Sequence, residues 1–195
     1  MRKRIALIVT LSYLVFGSFM LAQAADQKGL SRTDKQFVHA AASGGMMEVQ
    51  LGQMAQQKAQ SPEVKDFGSR MVTDHGRAND ELKKIAQQKN IALPDQLSKS
   101  DKKSVDKLSK ASGADFDKKY METMVKDHAN DVAVFRGAAQ KVKDPDLNGW
   151  ATKTLPVLEQ HLKLAKDTAR KVGVNVDKAE KAGTKMGEKK AKKMK

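Results

Sequence analysis

The chain has 195 residues, with 37 Lys and Arg against 23 Asp and Glu, a net charge of +14 and no cysteine. The lack of Cys excludes disulfides, thiolate metal sites and thiol nucleophiles, so an apolar core has to hold the fold by itself. No glycine-rich phosphate loop, nucleophile–base–acid arrangement or nucleic-acid motif occurs, which leaves hydrolase readings and any nucleotide cofactor without support.

Residues 1–24 have the layout of a cleaved secretory signal peptide. Arg2, Lys3 and Arg4 precede an apolar run from Ile5 to Leu21, and Ala22-Gln23-Ala24 supplies a small-x-small cleavage site. The expected location is therefore outside the cytoplasmic membrane, in the periplasm or at the outer membrane. An uncleaved anchor is the alternative, because the run approaches spanning length.

From Thr33 to Gly173 apolar residues recur at helical spacing, which predicts one all-α domain over residues 31–173. The first helix is expected from about Thr33 to Gln60, with Phe37, Ala41, Gly44, Glu48, Leu51 and Ala55 along one stripe. Ser61-Pro62-Glu63 then reads as N-cap, N1 proline and first-turn acid. The second helix carries Val64, Phe67, Met71, His75, Ala78, Leu82 and Ile85, and stops near Asn90. The connection from Ile91 to Gly113 is long and holds a predicted short helix around Ser100–Lys110.

The third long helix starts after Ser112, which is expected to form a capping box with Asp115. Its stripe is Phe116, Tyr120, Met124, His128, Val132 and Phe135. Asp144-Pro145-Asp146 repeats the opening device of the second helix and starts the fourth, with Leu147, Trp150, Ala151, Thr154, Leu158, His161, Leu162 and Ala165. Short turns within each pair make two antiparallel hairpins. A connection able to cross a helix of about 42 Å would make a ferritin-like four-helix bundle, two hairpins joined by one long crossover. A plain up-down-up-down bundle is the alternative.

Residues 174–195 read as a disordered basic tail. Eight Lys stand there against Asp177, Glu180 and Glu188, with no aromatic residue to anchor a core. Such a tail either stays solvated or brings Lys178–Lys195 to an anionic surface: anionic lipid, lipopolysaccharide or nucleic acid.

One phrase occurs twice, MVTDH at Met71–His75 and MVKDH at Met124–His128. It places His75 and His128 on the inner stripes of two helices, and His161 occupies the inner stripe of a third. Glu48 is the one carboxylate set squarely in the apolar stripe of the first helix, whereas His39 falls off that stripe and reads as a surface residue. Glu48, His75, His128 and His161 thus form a candidate metal constellation suited to copper, zinc or iron. Met71 and Met124, each one turn before a histidine, are candidate thioether ligands for a soft ion. The competing reading is a structural Glu–His network within a core that uses Met as gap-filler. Asp74 and Asp127 point away from the histidines beside them. They are expected to bind Arg70, Arg77 or Lys126, or to orient a histidine of another helix.

Several longer motifs carry a resemblance. Phe37-x-x-x-Ala41 with MMEVxLGxMAxQK, SPxVKxFGxxMVxDH, GxxFDKxYMxxMVxDH and WAxKTLPxLxxHLxLA occur in order over about Asp34 to Val172. Together they resemble domain-of-unknown-function family 4142, exported bacterial proteins of the ferritin-like group. The resemblance implies a ferritin-like four-helix bundle outside the cytoplasmic membrane, and no mechanism. Ferritin-like di-iron sites use Glu-x-x-His on two helices. Here Val72, Val125 and Leu158 stand three residues before the histidines, so a dinuclear iron centre is not supported. The expected role is a non-catalytic binding or structural module tied to metal handling or envelope stress. The alternatives are a mononuclear metal-dependent or redox protein using the Glu/His site, and a polyanion-binding protein acting through the tail.

Overall fold

The structure, a computed structural model, describes residues 29–194. The signal-peptide reading of residues 1–24 lies outside them. Six helices and no strand occur among the described residues: α1 (Arg32–Lys58), α2 (Pro62–Gln88), α3 (Lys99–Ser109), α4 (Gly113–Lys141), α5 (Pro145–Lys171) and α6 (Val176–Lys193). None of these helices is long and apolar enough to cross a membrane.

Local chemistry starts the helices where the sequence predicts. The Ser61 hydroxyl accepts from the Val64 amide, and the Asp144 carboxylate accepts from the amides of Asp146 and Leu147, each followed by a proline at the first helical position. Pro156, inside α5, is exposed, so the carbonyl it leaves without a helical donor can turn to water. The capping box expected at Ser112 does not form. Ser112 is the N-cap of α4 but makes no side-chain cap bond, and Asp115 pairs instead with Lys119 at 2.7 Å.

α1 packs against α2 and α4, and α5 packs against α4 and α2. The ends of the helices give their directions. Asp34, in the first turn of α1, accepts from the Lys143 amide at 2.8 Å, so the start of α1 meets the turn between α4 and α5. Asp117, near the start of α4, accepts from the amides of Gln60 and Ser61 at 3.0 and 2.7 Å. Each hairpin turn is thus tied down by a buried aspartate from the first helix of the other hairpin. These bonds satisfy backbone donors that no helix can use. Lys89 beyond α2 pairs with Asp144 and Asp146 at the start of α5, at 2.8 and 2.7 Å, which makes α2 and α5 antiparallel.

The segment after α2 therefore begins at one end of the molecule, and α4 begins at the other. It travels alongside α1, where Ser43 bonds Asp101 and the Ser98 amide, and Lys58 bonds the Ser109 carbonyl. Two apolar clusters fill the interior. One centres on Leu51, Phe67, Met71, Tyr120 and Met124, the other on Phe37, Leu82, Phe135, Trp150 and Leu158.

The tail expected to be disordered is instead α6, an 18-residue helix. It lies along α4 in the same direction, with Gly183 against Lys126 and Ala129, Gly187 against Asn130 and Ala133, and Ala191 against Gly137. A Cβ at Gly183 would stand 2.1 Å from the Lys126 carbonyl oxygen, and one at Gly187 would stand 2.3 Å from that of Asn130. Backbone contact this close draws on dispersion and exclusion of water without any large side chain, so apolar periodicity does not reveal it.

Candidate metal centre

His75, His128 and His161 come from α2, α4 and α5. His75 lies 13 residues beyond Pro62 and His128 lies 15 beyond Gly113, so at 1.5 Å per residue both sit roughly 20 Å from helix starts at the same end of the molecule. His161 arrives at that level on the antiparallel helix. The three rings meet at the waist between the two apolar clusters, flanked by Met71, Met124 and Ala165 on one side and by Leu82, Val132 and Leu158 on the other.

The ring centroids are separated by 5.6 Å (His75–His128), 5.3 Å (His75–His161) and 5.4 Å (His128–His161), nearly an equilateral triangle. One ring nitrogen of each lies within 4.8 Å of those of the other two. All three residues are buried; the relative exposures are 7% for His75, 0% for His128 and 1% for His161. Phe67 closes one side, its ring edge-on to His128 at 6.1 Å.

Hydrogen bonds at the back of two rings set their tautomers. His128 Nδ1–H donates to the Met124 carbonyl at 2.9 Å, leaving Nε2 with its lone pair. His161 Nε2–H donates to Asp74 Oδ2 at 2.9 Å, leaving Nδ1 with its lone pair. His75 Nε2, His128 Nε2 and His161 Nδ1 are buried and have no hydrogen-bond partner among the described residues. Burial, reinforced by mutual repulsion, holds His75 well below the usual histidine range. The same two causes bring His128 down to about 3. His161 is lowered by burial as well, against the pull of Asp74. The cluster at neutral pH is three uncharged imidazoles, the protonation state in which histidine ligates a metal.

Glu48 does not join this triangle. Its carboxyl is fully buried on α1 with Oε1 4.0 Å from His128 Nδ1, the nitrogen on the far side of the ring from Nε2. That distance is too long for a hydrogen bond, and the Nδ1 proton already serves Met124. Burial first, then the charges of Asp127, Asp131 and Asp101, push the Glu48 carboxyl well above the usual range. A protonated carboxyl beside a neutral imidazole makes no ion pair. Both Glu48 oxygens and the Tyr120 hydroxyl are buried without partners among the described residues.

Met71 and Met124 are fully buried in the apolar cluster below the triangle, and His39 is exposed on α1. The two aspartates of the repeated phrase have separate fates. Asp74 binds both Arg77, at 3.1 Å, and His161. Asp127 has a buried oxygen without a partner, and burial together with Asp131 pushes it up to about 7.

This geometry offers three neutral nitrogen donors to one ion and leaves a further coordination position for another ligand. With no carboxylate among the donors, it suits zinc, copper or iron better than magnesium or calcium. No curated protein and no solved structure matches the chain. The family described as "Domain of unknown function (DUF4142)" matches residues 19–168, well over half of the chain, and the protein belongs to that family.

Proposed function

We propose that this protein is a non-catalytic metal-holding module of the cell envelope that binds a single ion of the zinc, copper or iron type through His75, His128 and His161. One observation carries the reading: each of the three histidines brings a ring nitrogen within 4.8 Å of those of the other two, and each ring keeps a buried nitrogen without a hydrogen-bond partner among the described residues. A structural Glu–His network, the competing reading, would spend those nitrogens on hydrogen bonds, because an unsatisfied buried polar atom costs about 1–3 kcal/mol. Here the one carboxylate bonded to a ring is Asp74, and it bonds the back of His161. In this reading Asp74 orients His161 as a ligand, and Glu48 stands behind His128 without bonding it.

We read the surrounding architecture as a ferritin-like four-helix bundle of α1, α2, α4 and α5, extended by α6. The antiparallel hairpins and the connection running alongside α1 support it. The absence of Glu-x-x-His before the three histidines favours one ion over two. Location outside the cytoplasmic membrane follows from the apolar leader of residues 1–24.

Metal content of the untagged protein, recovered from the periplasm and measured by mass spectrometry, tests the proposal. Near-stoichiometric metal that disappears when His75, His128 and His161 are all changed to Ala is expected. Protein that stays empty after challenge with copper, zinc and iron would return the three histidines to the core.

A further inference from the structure

α6 has two unlike faces. Val176, Ala179, Gly183 and Gly187 are buried, and Gly183 and Gly187 lie against α4. At 100° per residue, Lys178, Lys181, Lys185, Lys189 and Lys192 fall within an arc of about 80° on the opposite side. All five are exposed, and among the described residues none makes an ion pair. They form a straight crest roughly 21 Å long, at 1.5 Å rise per residue. Glu188 and Asp177 border the crest on one flank, about 20° and 40° beyond Lys181, and Glu180 is turned to Lys166 of α5 at 2.8 Å.

We infer that this crest is a docking surface for an anionic phospholipid membrane. The close packing of Gly183 and Gly187 on α4 holds the five amines in one line on a folded body, so they can meet a flat surface together with little loss of backbone entropy. α6 contains neither Arg nor an aromatic residue, so it lacks the planar fork that grips individual phosphates and the rings on which nucleic-acid bases stack. Mobile lysine amines suit the diffuse negative potential of a lipid surface, where each contributes independently. Because the small-residue face is occupied by α4, the helix adsorbs through charge and does not insert.

Co-sedimentation with vesicles of phosphatidylglycerol and phosphatidylcholine, against phosphatidylcholine alone, tests the inference at 50 and 150 mM salt. Binding is expected to the anionic vesicles only and to weaken with salt. Each lysine neutralised on the crest should lower partitioning roughly fivefold, so K181Q/K185Q/K189Q should lower it on the order of a hundredfold. The control K65Q/K83Q/K103Q removes the same charge from exposed lysines on α2 and α3 and should stay within about twofold of the parent. Equal losses in the two triple variants, or no vesicle binding at 50 mM salt, would overturn the inference. So would tighter binding to a single-stranded oligonucleotide that is lost in the crest variant, since that would make the partner a nucleic acid. Circular dichroism of both variants checks that α6 remains folded.

Discussion

Asp74 Oδ2 accepts a hydrogen bond from His161 Nε2 at 2.9 Å, joining α2 to α5 one residue before His75. The same carboxylate holds Arg77 through its other oxygen at 3.1 Å, so its position is fixed from two sides. A back-side carboxylate of this kind fixes the tautomer and aims the free nitrogen, and loss of such a partner lowers metal affinity by about 10–100-fold. Asp74→Ala should do so while leaving the ion bound at saturation. Asp74→Asn, which keeps an acceptor, should lose less. Competition titration against a chromophoric chelator measures both, and an unchanged affinity in Asp74→Ala would remove Asp74 from the site.

Glu48 is a cost to the metal-free fold. Its two oxygens are buried without partners, and its carboxyl is pushed well above the usual range. The folded state therefore keeps a proton that the unfolded chain gives up, and Glu48 costs more stability as pH rises above about 4.5. Glu48→Leu should stabilise the metal-free protein by about 1–3 kcal/mol at pH 8, and by less at pH 4. Urea denaturation at the two pH values measures it. A large loss of stability at pH 8 would mean that Glu48 has a partner.

Two groups of titratable residues should give the metal-free protein opposing pH dependences. The three histidines are lowered, His128 to about 3, so below about pH 6.5 the unfolded chain binds more protons and stability falls as pH falls. Asp127 and Asp131 are raised by burial to about 7 and about 6, and Glu48 is raised as well, so the folded chain binds more protons and stability falls as pH rises from about 4 toward those values. Parent protein should show a shallow profile between pH 4 and 6.5. Changing the three histidines to Leu should leave stability falling with rising pH, and Asp127→Asn with Asp131→Asn should leave it rising. Thermal midpoints in a pH series decide, and equal slopes in the two variants would contradict the assignment.

The attachment of α6 rests on glycine. Gly187→Leu places its Cβ 2.3 Å from the Asn130 carbonyl oxygen, and overpacking of this kind costs about 1–3 kcal/mol. The strain is relieved by releasing the later turns of α6 from α4, while Val176 and Ala179 at its start stay in the first apolar cluster. Limited proteolysis should then cleave within residues 176–193, while the fragment that remains keeps its helical spectrum. Protection equal to the parent's would show that α4 can yield.

Adding a saturating ion should raise the thermal midpoint of the parent protein and of Glu48→Gln, and leave the triple histidine variant unmoved. At a free concentration of a hundred times the dissociation constant the gain is about 2.7 kcal/mol.

The four long helices, their caps at Ser61 and Asp144 and the inward setting of His75, His128 and His161 were all readable in the sequence, because each is written in a few neighbouring residues. Periodicity and capping chemistry act over one or two turns. Which groups meet across helices was not readable. The repeated Val-x-Asp-His steps are identical at Val72 and Val125 apart from the variable position, yet Asp74 reaches His161 while Asp127 is raised by burial and by the charges of Asp131 and Asp101. Glu48 shares a stripe with Leu51 and Ala55, and only the packing of α1 against α4 sets it behind His128 and outside the triangle. α6 was hidden because residues at a spacing of four, Ala179, Gly183, Gly187 and Ala191, bury backbone rather than apolar side chains. The sequence by itself determined the four long helices and which of their histidines turn inward. The tertiary structure decided which of them face one another, since that depends on helix direction, axial level and close backbone approach, none of which is encoded within a single turn.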